Sequence, residues 1–296
     1  MRRHDSAFTI VELLVVAALM AVLFGLVLAG GRPKPSARKL AQEFASMLLA
    51  AQSRALGRPE GAAVIIELPG IPDDPLKIHE AVCLPPIVLD APDGTIANSG
   101  DTDLAQGYKA RFQSKSGSGV FTVSPWLKLS GGVPQARDAT GQNERNTIVQ
   151  PTGANLEALV VRLPVIGGKA IAVPKQLALS LENSGVGDDP AASHGFVRLN
   201  GKGAIAVVFD QAGRVADVVS NVIGATAPDS ISPGELIYFF FHEVDSQTPP
   251  PVPLQSDSAV WVAINPQTGR INIAANKPGT LFTARENARK AIAVGK

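Results

Sequence analysis

The sequence predicts an α+β protein in which a long N-terminal transmembrane helix precedes a predominantly antiparallel β-sheet globular domain. Three observations predict it: an unbroken apolar run near the start, one amphipathic stripe at helical spacing, and then many short β-branched and aromatic segments set between Gly, Pro, Asp and Asn. The boundaries that follow are a short polar segment 1–7, an apolar helix 8–31, a kink with an amphipathic helix 32–59, a β-rich domain 60–283 and a basic tail 284–296. With 45% hydrophobic and 18% charged residues, the chain can bury a sizeable core and does not have the composition of a disordered one. Its 27 basic and 26 acidic residues nearly cancel, so no global field draws it to nucleic acid or anionic lipid. Cys83 is the only cysteine, which excludes an internal disulfide and any multi-cysteine metal site.

From Phe8 the chain reads FTIVELLVVAALMAVLFGLVLAGG, and Glu12 is the single charge in that stretch. A helix from Phe8 to Gly31 reaches roughly 36 Å at about 1.5 Å per residue, enough for a hydrocarbon core of about 30 Å. Arg2 and Arg3 precede the run while Arg32 and Lys34 follow it, so loop charge alone leaves its orientation undecided. A cleaved signal peptide, with Val27-Leu28-Ala29 as its small-residue site, and an uncleaved signal anchor both explain the hydrophobicity. Neither has a use for Glu12. A carboxyl group in a spanning helix costs about 2.5–3.5 kcal/mol toward the bilayer centre, and such groups mark function.

The stretch Phe8-Thr9-Ile10-Val11-Glu12-Leu13-Leu14-Val15-Val16, preceded by a short basic leader, resembles the cleavage and methylation signal of type IV prepilins and pseudopilins. The resemblance implies that a prepilin peptidase cuts between Ala7 and Phe8 on the cytoplasmic face and that the new amine of Phe8 is N-methylated. It departs from the family at Ala7, where Gly is commoner. Glu12 is then the fifth residue of the processed chain, where the family carries an acid. Opposite charges lower the penalty that an amine and a carboxylate each suffer in low dielectric. By family analogy Glu12 meets the amine of a neighbouring subunit and favours correct axial register during filament assembly.

Gly30, Gly31, Pro33 and Pro35 interrupt the helical pattern. Ser36 is placed to cap a second helix whose stripe is Leu40, Phe44, Met47, Leu48, Ala51 and Leu56, ended by Gly57 and Pro59. The stripe is expected to pack on the sheet. Strands are expected at 62–68, 108–113, 119–123, 158–163, 176–182, 195–199, 204–210, 214–219, 235–241, 260–264 and 270–274. Strict alternation in QLALSLE suits a half-buried antiparallel strand. Phe209-Asp210-Gln211-Ala212-Gly213-Arg214 and Asn265-Pro266-Gln267-Thr268-Gly269-Arg270 each read as a hairpin turn, opened by Asp or Asn and given positive φ by Gly.

Together with Ala51-Gln52-Ser53-Arg54-Ala55, these two turns are similar in order to the GspH/FimT-like minor pseudopilins. The chain is longer than the usual member, with insertions expected around 69–107, 124–157, 183–194 and 224–258. The resemblance implies a structural subunit rather than an enzyme. It would be held single-pass in the bacterial inner membrane, with a cytoplasmic N-terminus and a periplasmic domain, before it enters a pseudopilus or type IV pilus. Its implied partners are other pilin subunits, prepilin peptidase, the inner-membrane assembly platform and membrane lipid. Type II secretion and type IV pili use the same signal, so that choice stays open.

Two other functions are compatible with the residues. Some FimT-like minor pilins take up DNA, and Arg270, Arg285, Arg289 and Lys290 are the possible nucleic-acid contacts, although Asn272 replaces the second basic residue of a G-R-x-R pattern. The other is a membrane-tethered periplasmic binding domain. His4, His79, His194 and His242 lack metal-ligand spacing, and the pairs Asp73-Asp74, Asp101/Asp103 and Asp188-Asp189 lack a calcium-loop pattern, so no metal or cofactor is expected. No phosphate-binding loop or nucleophile elbow occurs, and no catalytic residues are assigned. Pro-rich QTPPPVP at 247–253 is expected to be an extended spacer.

Overall fold

The computed structural model describes residues 14–20, 36–68, 75–90, 107–116, 119–122, 124, 126–130, 133–135, 156–188, 194–196, 204–223, 228–244 and 253–294. The chain divides into two compact units, residues 1–35 and 36–296. In the first, residues 14–20 are helical. Among the described residues no helix is long and apolar enough to cross a membrane. The expected span 8–31 lies mostly outside them.

The second unit begins with helix α1 (Ala37–Ala55), followed by strands β1 (Ala62–Glu67), β2 (Lys77–Val82) and β3 (Ile87–Asp90). Strands β4 (Gly107–Ser116), β5 (Gly119–Thr122), β6 (Leu127–Ser130), β7 (Val133–Gln135) and β8 (Leu156–Arg162) come next. They lead to β9 (Val165–Ala172), β10 (Leu177–Val186), β11 (His194–Gly195), β12 (Ala204–Phe209), β13 (Val215–Ser220) and β14 (Asp229–Ile231). The chain finishes with β15 (Ile237–Glu243), β16 (Val260–Ile264), β17 (Ile271–Ala275) and helix α2 (Leu281–Val294).

Three sheets result, and every pairing among the described strands is antiparallel. The first runs β14-β13-β12-β1-β2-β9 and the second β11-β10-β15-β16-β17. The third runs β3-β8-β4-β6-β7, with β5 on β4. This mostly antiparallel β architecture with few helices agrees with the expected class. Three of the six strands of the third sheet, β3, β6 and β7, lie in the stretches read as insertions, and β2, β3, β6, β7, β9 and β14 had no expected strand. Most of these are short or, like β9 with its Gly pair, poor in apolar alternation, and β3 and β9 find their partners β8 and β2 far away in sequence.

Helix α1 starts where Ser36 accepts a hydrogen bond from the Lys39 amide at 3.3 Å, a side-chain N-cap. Its stripe of Leu40, Phe44, Met47, Leu48, Ala51 and Ala55 is buried in one core with Val64, Ile66 and Val207 of the first sheet and with Phe239, Phe241 and Val262 of the second. Phe44 sits edge-on to Phe239 and Phe241 at ring separations of 5.0 and 5.4 Å. One helix therefore fills the space between two sheets, and each large side chain so buried contributes about 1.5–3 kcal/mol. Leu56, expected in this stripe, is 57% exposed. The helix ends at Ala55 and the chain turns before Leu56 completes the face.

Both remaining faces are also covered. Behind the first sheet, Ala63, Ile65, Cys83 and Ala206 pack with Tyr108 and Val161 of the third. On the outer face of the second, Tyr238, Phe240 and Trp261 pack with Ala284 and Ala288 of α2. This two-sided burial explains why IYFFF reads as a continuous apolar run rather than an alternation. Burial pushes the Cys83 thiol up to about 12, so it is protonated at neutral pH. A disulfide exchange reagent is expected to leave the native chain untouched and to titrate its one thiol only in denaturant. Equal labelling rates in both conditions would contradict this burial.

Candidate functional site

The described part of the N-terminal segment is helical and presents only apolar or small side chains. Leu14 is 64% exposed, and Val15, Val16, Leu19 and Met20 are each more than half exposed. Such a surface is costly in water. Ala7, Phe8 and Glu12, the expected cleavage, methylation and assembly residues, lie outside the described residues.

In the globular unit the three segments that resemble the minor pseudopilins meet in one corner. The Asp210 Oδ1 accepts from the amides of Ala212 and Arg214, both at 2.9 Å, and Gly213 takes φ +74°. In the second turn, Asn265 Oδ1 accepts from the amides of Gln267 and Thr268 at 3.0 and 3.2 Å, and Gly269 takes φ +66°. These are Asx turns closed by a left-handed glycine, as the sequence predicts. The turns bond to each other, with the Val215 amide donating to the Pro266 carbonyl at 2.9 Å. The end of α1 joins them: Gln52 Nε2 donates to the Gly213 carbonyl at 2.9 Å, and the Gly57 amide donates to the Gln211 carbonyl at 3.0 Å. Arg54 pairs with Glu80 of β2 at 2.8 Å, and its guanidinium holds the Glu80 carboxyl below the ordinary carboxylate value. The arrangement fixes the helix end to both main sheets. It brings no set of reactive groups together.

The four basic residues expected to contact nucleic acid do not form one patch. Arg270 is exposed on the terminal hairpin. Arg285 is fully buried: its Nη1 donates to the Gly187 carbonyl at 2.7 Å, its Nη2 to the Asn183 carbonyl at 2.9 Å, and its guanidinium lies 5.4 Å from the Tyr238 ring centre. Its burial lowers its pKa, and it is a core residue rather than a surface cation. Arg289 pairs with Asp188 at 2.6 Å, and Lys290 pairs with Glu286 one helical turn back at 2.9 Å. The expected boundary of a basic tail at 284 falls inside α2, which packs through Ala284, Arg285 and Ala288.

Among the described residues no group of three His, Cys, Asp or Glu side chains is placed to hold a metal ion. His79 is engaged with Glu67 at 2.8 Å, and Asp188 accepts from Tyr238 and Arg289. Asp73, Asp74, Asp101, Asp103 and Asp189 lie outside the described residues. Sequence reasoning missed Asp217, a buried carboxylate on β13 that accepts from Tyr108, Lys109 and Ser232. Its position among the apolar residues of RVADVV was the available signal.

No curated protein and no solved structure matches the chain. One family model does: residues 2–28 carry the prokaryotic N-terminal methylation motif, and this supports a type IV pilin or pseudopilin.

Proposed function

We propose that the chain is a minor pseudopilin, a structural subunit of a type II secretion pseudopilus or a type IV pilus. The methylation motif at residues 2–28 carries the reading, because it combines a basic leader, the Ala7–Phe8 junction, the acid at Glu12 and an apolar helix. In this reading prepilin peptidase cuts before Phe8, the Phe8 amine is methylated, and the helix holds the chain in the inner membrane with its globular unit in the periplasm. Assembly then passes the apolar surface around Leu14–Met20 from lipid to neighbouring subunit helices, where small Ala17 and Ala18 permit close approach. The GspH/FimT-like subtype is supported by the convergence of Gln52, Gly213 and Gly269 in one corner. Carried on family-like segments, that corner serves to hold the domain on its helix.

N-terminal mass spectrometry of the protein recovered from membranes tests this. The expected first residue is N-methyl-Phe8. A start at Gly30 would identify a cleaved signal peptide instead, and an intact N-terminus retaining Arg2 would identify a plain tether.

A further inference from the structure

A cleft of about 550 Å³ opens beside the terminal hairpin turn. Its walls are Asp188 after β10, Glu235 and Leu236 before β15, Gln267 in the hairpin turn, and Phe282 and Arg289 from α2. That volume falls within the range of about 300–1,000 Å³ typical of ligand clefts. Phe282 is 49% exposed although Ala284 and Ala288 of its helix pack on the second sheet. Arg289 is engaged with Asp188 at 2.6 Å, so those two charges compensate each other. Glu235 is exposed and makes no ion pair or hydrogen bond among the described residues. The cleft thus joins an unused carboxylate to an uncovered aromatic ring and carries one net negative charge.

We propose that this cleft receives an arginine or lysine side chain from another polypeptide. The aliphatic stem of such a side chain covers Phe282 and Leu236, while its cationic head reaches the Glu235 carboxylate. An acidic occupant would meet the uncompensated charge of Glu235, and a purely aliphatic one would leave Glu235 without a partner. The amide of Gln267 stands at the rim, where it can bond the backbone on either side of the inserted residue. This inference goes beyond the pseudopilin reading and does not depend on it, since it names a surface of the globular unit alone.

The test uses residues 36–296, a unit with its own core, in a nuclear magnetic resonance titration with two synthetic pentapeptides. One is acetyl-Ala-Leu-Arg-Leu-Ala-amide, and in the other Glu replaces Arg. The arginine peptide is expected to shift the amide signals of Leu236, Gln267 and Phe282, and the glutamate peptide to leave them in place. Glu235→Lys is expected to weaken the arginine peptide by up to about fivefold, since an exposed ion pair contributes up to about 1 kcal/mol. Phe282→Ala is expected to weaken it by a similar factor through loss of the ring face. Glu235 and Phe282 are exposed, and unchanged spectra away from the cleft will show that the variants fold. Equal shifts with both peptides, shifts elsewhere only, or indifference to Glu235→Lys would overturn the proposal. N-terminal mass spectrometry reads the pseudopilin proposal separately, so either can fail without the other.

Discussion

Replacing Asp217 by Ala is expected to destabilise the globular unit by about 3–5 kcal/mol, the usual cost of stranding one partner of a buried ion pair. Asp217 is 1% exposed on β13 of the first sheet. Its carboxylate accepts from the Tyr108 hydroxyl at 3.0 Å, from the Ser232 hydroxyl at 2.8 Å and from the Lys109 ammonium. Tyr108 and Lys109 belong to β4, so the carboxylate bonds the third sheet to the first. Burial, followed by the neighbouring carboxylate, pushes the Tyr108 phenol well above its ordinary value, which keeps it a donor over the whole accessible pH range. Removing Asp217 leaves the Lys109 charge largely buried between the Tyr108 and Trp126 rings, with its ion pair gone. The double variant Asp217→Ala/Lys109→Met is therefore expected to be more stable than Asp217→Ala alone, because the stranded charge goes with it. Guanidinium unfolding measures both. A loss below about 1 kcal/mol in the single variant, or no recovery in the double, would refute this role.

The second large effect is expected at Gly269. Its φ of +66° already disfavours any side chain, by about 1–2 kcal/mol for Ala. Its Cβ position is also occupied, since an added carbon meets the Gly213 carbonyl and the Gln52 amide group. Backbone cannot rotate away as a long side chain can, so the two turns must separate or the helix end must shift, at a further cost of about 1–3 kcal/mol. Gly57 supplies the control, with φ +76° and no atom within 4 Å of an added Cβ. Gly57→Ala is expected to cost about 1 kcal/mol and Gly269→Ala at least twice that, measured by the same unfolding experiment. Equal losses at the two positions would mean that the corner is not packed as described.

What the sequence made legible was local. Helix α1 announced itself through the Ser36 cap and the stripe from Leu40 to Ala51, and the two hairpins through Asp210, Asn265 and their glycines, because each signal lies within a few residues of the structure it sets. The meeting of those hairpins with Gln52 was not legible, since it joins residues 161 positions apart through a side-chain-to-backbone bond. The third sheet was missed in part for a different reason: strands such as LKLS and VPQ are too short to carry a period, and they pair with each other as a short hairpin on the edge of β4. Arg285 was misread because a cation in an Ala-rich helix ordinarily faces water. Here the carbonyls of Asn183 and Gly187, about a hundred residues upstream, solvate it in place of water.

Helix α1 also has a mechanical meaning. It is the first element of the globular unit, and its buried face touches both main sheets along most of its length. A pull applied at Ser36 along the axis of this rod loads the contacts from Leu40 to Ala55 together in shear rather than peeling them one at a time. The knot of backbone bonds at Gln211, Gly213 and Pro266 lies at the far end of the rod and anchors it there. A domain built this way resists extraction of α1 from its N-terminal end.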